Sequence, residues 1–222
     1  VRRGARVASI AALLALLAGC AGGPPPPDWE ITAHDALEAY AQHDLEGNRR
    51  LAARDFERAR AAVARTGRAD LMARVELTRC ALHVASLEFE PCAAFEALRA
   101  DASPAERSYA DFLAGHWTGL DAGLLPVRYR AIVQSGTAPM AALAAIEDPR
   151  SRLIAAGALF RLGRLPPAGV TLARETASAQ GWRRPLLAWL KVEIAHARAA
   201  GDDATAERLG RSVERILAAP ER

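Results

Sequence analysis

Helix starts and helix stops alternate along this chain from Asp28 onward, a few turns apart, and this punctuation constrains the fold more than any other feature. Ser103-Pro104-Ala105-Glu106 is the sharpest start. The serine hydroxyl can accept from the third helical N–H, proline suits the first helical position, and the glutamate can reach back to the serine N–H. Asp148-Pro149 repeats the style, and Pro166-Pro167, Arg184-Pro185 and Asp202-Asp203 open further segments. Gly67, Gly163, Gly181 and Gly201 stand where stops are expected, and Gly47 or Asn48 can end the first segment. Between these marks apolar residues recur at helical spacing. Ile31, Ala36, Leu37 and Tyr40 share a face of a first helix. Leu51, Phe56, Ala59 and Val63 share one on a second. Leu71, Val75, Leu77, Ala81 and Val84 mark a third that starts at Asp70, and Leu153, Ala156, Gly157 and Phe160 point inward from a later one.

Composition agrees with that pattern. Apolar residues make up 51% of the chain but aromatic residues only 5%, so the apolar share is mostly alanine and leucine. Both are good helix formers and weak strand markers. No segment alternates like a strand, and no Asn-Gly turn suggests a hairpin. The expected fold class is all-α, built of antiparallel helix pairs. The stretch from Gly115 to Pro139, rich in glycine and proline, predicts short helices and turns.

The N-terminal region carries a different signal. Arg2, Arg3 and Arg6 form a positive segment, followed by an almost purely apolar run from Val7 to Leu17. That run is about half the ~20 residues needed to span a bilayer, which favours an export signal over a permanent anchor. Leu17-Ala18-Gly19-Cys20 then resembles the lipobox of bacterial lipoproteins. The resemblance implies a signal peptide over 1–19, cleavage before Cys20, a diacylglyceryl group on the Cys20 thiol and acylation of the freed amine. Two or three acyl chains hold a protein stably where one does not. In such lipoproteins an aspartate after the cysteine favours retention at the inner membrane. Ala21 stands there, so the resemblance points to the outer membrane, facing the periplasm. Residues 20–27 form a lipidated cysteine and a proline-rich tether, since four prolines favour extended polyproline II. Residues 28–222 form the helical domain.

The helical body has a second, partial likeness. Gly157, Phe160, Gly163, Leu165, Ala168 and Leu172 resemble the residue order of a tetratricopeptide repeat, and Ala53, Phe56 and Ala59 resemble its second helix. One residue is missing between Phe160 and Gly163, and the closing alanine and proline are out of register. The resemblance implies an α-solenoid of stacked helix pairs; the alternative is an irregular closed helical bundle.

Charge and motifs narrow the functional classes. The whole chain has 29 Lys+Arg and 26 Asp+Glu, but Arg2, Arg3 and Arg6 precede Cys20 and no acid does, leaving 26 of each sign from Cys20 on. Such a balanced body lacks the basic excess of a nucleic-acid binder. Export would place Cys80 and Cys92 where disulfides form, and their spacing allows a bridge if the chain folds back after the third helix; the alternative is two buried thiols. His34, His43, His83, His116 and His196 show no metal-binding spacing, and no nucleophile elbow, phosphate-cradling loop or CxxC pair is present. No cofactor or metal is therefore expected. Carboxylates interleave with arginine, as in Arg54, Asp55, Glu57, Arg58 and Arg60, the pattern of a solvated helix face. Trp182 and Trp189 read as core packing rather than exposed anchors. The leading expectation is a non-enzymatic scaffold that binds an envelope protein or peptide while a lipid on Cys20 holds it to the membrane. The alternative is a cell-wall hydrolase using a carboxylate acid/base pair.

Overall fold

The structure, a computed structural model, describes residues 25–136 and 138–219. The expected signal peptide, Cys20 and the first part of the tether lie outside those residues. Pro27, extended at φ −65° and ψ 151°, is the N-cap of the first helix.

Eleven α-helices and no strand occur among the described residues. They are α1 (Asp28–Glu46), α2 (Arg49–Ala64), α3 (Ala69–Ala85), α4 (Ala93–Glu96), α5 (Pro104–Ala114), α6 (Val127–Gln134), α7 (Met140–Ala144), α8 (Pro149–Arg161), α9 (Pro167–Ala179), α10 (Arg183–Ala199) and α11 (Asp203–Ala218). A 3-10 turn, Ala122–Leu124, precedes α6. The fold is all-α.

The sequence marks act as expected at most ends. Ser103 and Glu106 form a full capping box, with Ser103 Oγ accepting from the Glu106 N–H and Glu106 Oε2 accepting from the Ser103 N–H at 2.7 Å. Asp148 Oδ2 accepts from the Ser151 N–H at 2.7 Å, and Pro149 is the first residue of α8. Gly47 closes α1 in the left-handed conformation that glycine adopts without strain. Tyr40, Phe56, Ala59 and Val75 are buried as their spacing predicts. Ile31 is not: it is 45% exposed.

Neighbouring helices pack in sequence: α1 on α2, α8 on α9, α9 on α10 and α10 on α11. Two contacts join helices far apart in sequence. α3 packs on α8, and α10 returns to α1. The body is thus a stack of helix pairs drawn together by two long-range contacts, while α5, α6 and α7 cover α8 from the side. The interior centres on α8, where residues 153–159 are all buried. A helix buried all round must be apolar all round, and this one uses leucine and small residues. Gly157 permits its closest approach: a Cβ there would lie 2.8 Å from the carbonyl carbon of Val84 on α3, and nearer still to its oxygen.

Candidate functional site

The strongest candidate is an open groove of about 770 Å³. Its floor is apolar, formed by Leu77, Ala81 and Leu82 of α3, Leu125, and Ile154 of α8. Its rim is polar, with Glu38 of α1, Arg74 of α3, Glu106 of α5, Arg128 of α6, and Asp148 and Arg150 at the start of α8. The capping box sets one wall, because it fixes where α5 begins. The Asp148 cap sets the opposite wall in the same way.

The three rim carboxylates are already engaged. Arg150 grips both oxygens of Glu38, at 3.2 and 2.6 Å, joining α8 to α1. Arg74 Nε donates to Glu106 Oε1 at 2.5 Å, while the other Glu106 oxygen serves the capping box. Asp148 is spent on its own cap. Arg128 differs from the other two arginines. Its guanidinium donates to the Ser151 hydroxyl at 3.1 Å and lies 5.9 Å from the centre of the Tyr129 ring, with no salt bridge among the described residues. A second cleft of about 440 Å³ shares Arg128 and Asp148 and continues past them toward α7. Two large apolar side chains stand exposed along this rim, Leu124 at 39% and Val127 at 76%.

Tyr109 and Tyr129 line the groove and continue into an aromatic stack. Tyr109 and Tyr129 are 5.7 Å apart, Phe112 is 5.0 Å from Tyr129, and Trp117 is 5.2 Å from Phe112, all with small angles between ring planes. Burial pushes both tyrosine hydroxyls up from the usual phenol range, and the Tyr129 hydroxyl pairs with those of Tyr109 and Ser151. Both stay neutral at physiological pH. The sequence reading passed over Tyr109, Tyr129 and Trp117. The signal was present: in a chain with so few aromatic residues, several crowd into the segment between Ser108 and Arg130.

The other expected site residues fall elsewhere. Cys80 and Cys92 form a disulfide with Cα atoms 5.9 Å apart. The chain folds back directly after α3, which ends at Ala85. Leu87 adopts φ +59°, and the Glu88 N–H donates to the His83 carbonyl at 2.8 Å. Trp182 and Trp189 are buried at 6% and 0%, and the Trp189 indole donates to the Ala85 carbonyl at 3.1 Å. His43 meets Asp55 at 2.8 Å across the α1–α2 pair. No cluster of metal-binding side chains occurs among the described residues, and no described helix is long and apolar enough to cross a membrane.

One further ionic joint ties the stack together. Arg184 of α10 pairs with Asp44 of α1 and with Glu88 after α3. Burial raises the Asp44 carboxyl above its ordinary range, while Arg184 pulls the other way. Burial also opposes ionisation of Glu88, but the Arg184 hydrogen bond and charge outweigh it and hold that carboxyl low. Compared with protein-family models, with curated proteins and with solved structures, the chain finds no match in any of the three.

Proposed function

We propose that this chain is a lipid-anchored scaffold of a bacterial cell envelope, held at the outer membrane through Cys20 and facing the periplasm. Its helical body binds a protein or peptide partner in the groove between α3, α5, α6 and α8. The lipobox-like Leu17-Ala18-Gly19-Cys20, Ala21 after it and the proline tether support the anchoring. A single observation carries the binding reading. The groove has an apolar floor and exposed Leu124 at its edge, and its carboxylates are spent on caps and ion pairs rather than left to exchange protons. Such a surface offers contact area and hydrogen-bonding partners, the ingredients of recognition. The hydrolase alternative needs a carboxylate with a proton to give beside a substrate. Asp44, the carboxyl that burial raises, is buried in the α1–α10 joint and locked to Arg184.

The test is site-specific photocrosslinking in intact cells. A crosslinking residue at Leu124 should capture a discrete envelope partner. Ala105→Trp, at an exposed position lining the groove, should abolish that capture by filling it. A crosslinker at Glu207 on α11 should not give the same product. Capture from Leu124 that survives the filled groove, or equal capture from Glu207, contradicts the groove as the binding surface.

A further inference from the structure

Residues 86–92 form a strap between α3 and the short helix α4, and three ties hold it down. Cys92, at its end, is bridged to Cys80 of α3. Arg184 of α10 donates to both oxygens of Glu88. Phe89 stacks on Phe160 of α8 at 6.3 Å between ring centres, and the Arg161 guanidinium lies 5.5 Å from the Phe89 ring. Inside the loop that the bridge closes, two adjacent residues sit in unfavourable states. Ser86 is 4% exposed, and its hydroxyl has no hydrogen-bond partner among the described residues. Leu87, at φ +59°, is the one non-glycine among them in the left-handed region.

A buried hydroxyl without a partner loses the hydrogen bonds that water gave it, and a left-handed backbone crowds the Cβ of an L residue. Such states persist only where the surrounding structure over-determines them, and they gather at switch regions. Here the covalent part of that constraint is the Cys80–Cys92 bridge. It is not sealed in the core: both cysteines are partly exposed, and Glu90, Pro91 and Ala93 around Cys92 are exposed. We infer that the strap is a redox switch, latched to the α1–α10 joint through Glu88 while the bridge is intact and released when a dithiol reduces it. A thiolate of the dithiol attacks one bridge sulfur, the S–S bond breaks, and the other cysteine leaves as a thiolate that takes a proton from water. The second thiol of the reductant then displaces the bound cysteine and closes its own disulfide. Two electrons pass to the bridge, leaving Cys80 and Cys92 as thiols and the dithiol oxidised. Released, the strap lets Ser86 reach water and Leu87 return to an ordinary backbone conformation, and Glu88 leaves Arg184. Arg184 then keeps only its pair with Asp44, so the start of α10 is held less firmly against α1.

The test is amide hydrogen exchange on the full chain carrying Cys20→Ser, which leaves Cys80 and Cys92 as its only thiols. Exchange is followed in the oxidised protein, after dithiothreitol, and after reoxidation, well below the melting temperature. Residues 153–157 of α8, all buried, report whole-molecule opening. Reduction should speed exchange about tenfold or more over residues 86–92 and over 183–186 at the start of α10, with 153–157 unchanged. Reoxidation should reverse it, and Cys80→Ser/Cys92→Ser in the same background should show the reduced pattern without dithiothreitol. A bridge that merely adds stability speeds all three regions in the same proportion. That result, or a strap whose exchange does not respond to reduction, overturns the inference, as does a double variant that keeps the oxidised pattern.

Discussion

Gly157 and Gly210 both sit inside helices, and a methyl group would act oppositely at the two. At Gly157 it would press into the backbone of Val84, whereas nothing lies within 4 Å of a Cβ at Gly210. Gly157→Ala should therefore destabilise the fold by roughly 1–3 kcal/mol through overpacking, despite better helix propensity. Gly210→Ala should stabilise it by up to about 1 kcal/mol. Denaturant melts of the two variants check this, and shifts of the same sign would contradict the α3–α8 crossing. The sequence marked Gly157 as inward-facing but could not say that another backbone touches it. His83 carries a second prediction at this scale. Burial pushes its imidazole down from the usual value, Arg184 adds to the effect, and Asp44 and Glu88 oppose it. The unfolded chain takes up that proton near pH 6.5, before the folded chain does. The stability contributed by neutral His83 is thus fully present above about pH 6.5 and is lost as pH falls through its lowered folded value. Urea midpoints should fall further from pH 7.5 to 5.5 for the wild type than for His83→Gln. Equal falls would show that His83 is not the titrating group.

Among the elements, helix starts were legible and one helix end was not. Ser103, Asp148 and Asp202 act as caps because short polar side chains reach nearby N–H groups, a purely local effect. The end of α3 has no such mark. Leu87 occupies the left-handed position that glycine usually takes, so the sequence carries no stop signal there. Long-range constraint makes up for the missing local signal: the Cys80–Cys92 bridge fixes the fold-back, and Leu87 packs against the core. Closing a loop of this size contributes about 3 kcal/mol in the chain-entropy model. Reduction should then lower the melting temperature by roughly 5–10 °C in a chain of this length. The oxidised protein should resist alkylation at Cys80 and Cys92. Free alkylation of both thiols without reductant would remove the bridge from this account.

For the whole molecule, the period of the apolar residues fixes helices and their neighbours, but not the pairs made far apart in sequence. The α3–α8 and α1–α10 contacts depend on Gly157 and Arg184 meeting distant partners, as the Trp189 bond to the end of α3 does, and no spacing rule announces them. The groove was illegible for the same reason, since its walls come from α1, α3, α5, α6 and α8. Ser103, Glu106 and Asp148 were visible beforehand as caps, and Leu77 and Ala81 as a helix face, but none of them as parts of a groove. The anchor presents the reverse case, because its pattern is local and contiguous over Arg2 to Cys20. The proposed envelope role depends on that pattern placing the helical body at a membrane. The direct measurement is metabolic labelling with a clickable fatty-acid analogue in bacteria expressing the wild type or Cys20→Ser, followed by membrane fractionation. The account predicts a labelled wild-type protein that fractionates with the outer membrane, and an unlabelled Cys20→Ser protein that does not. Undiminished labelling of Cys20→Ser, or an unlabelled wild type, would contradict it.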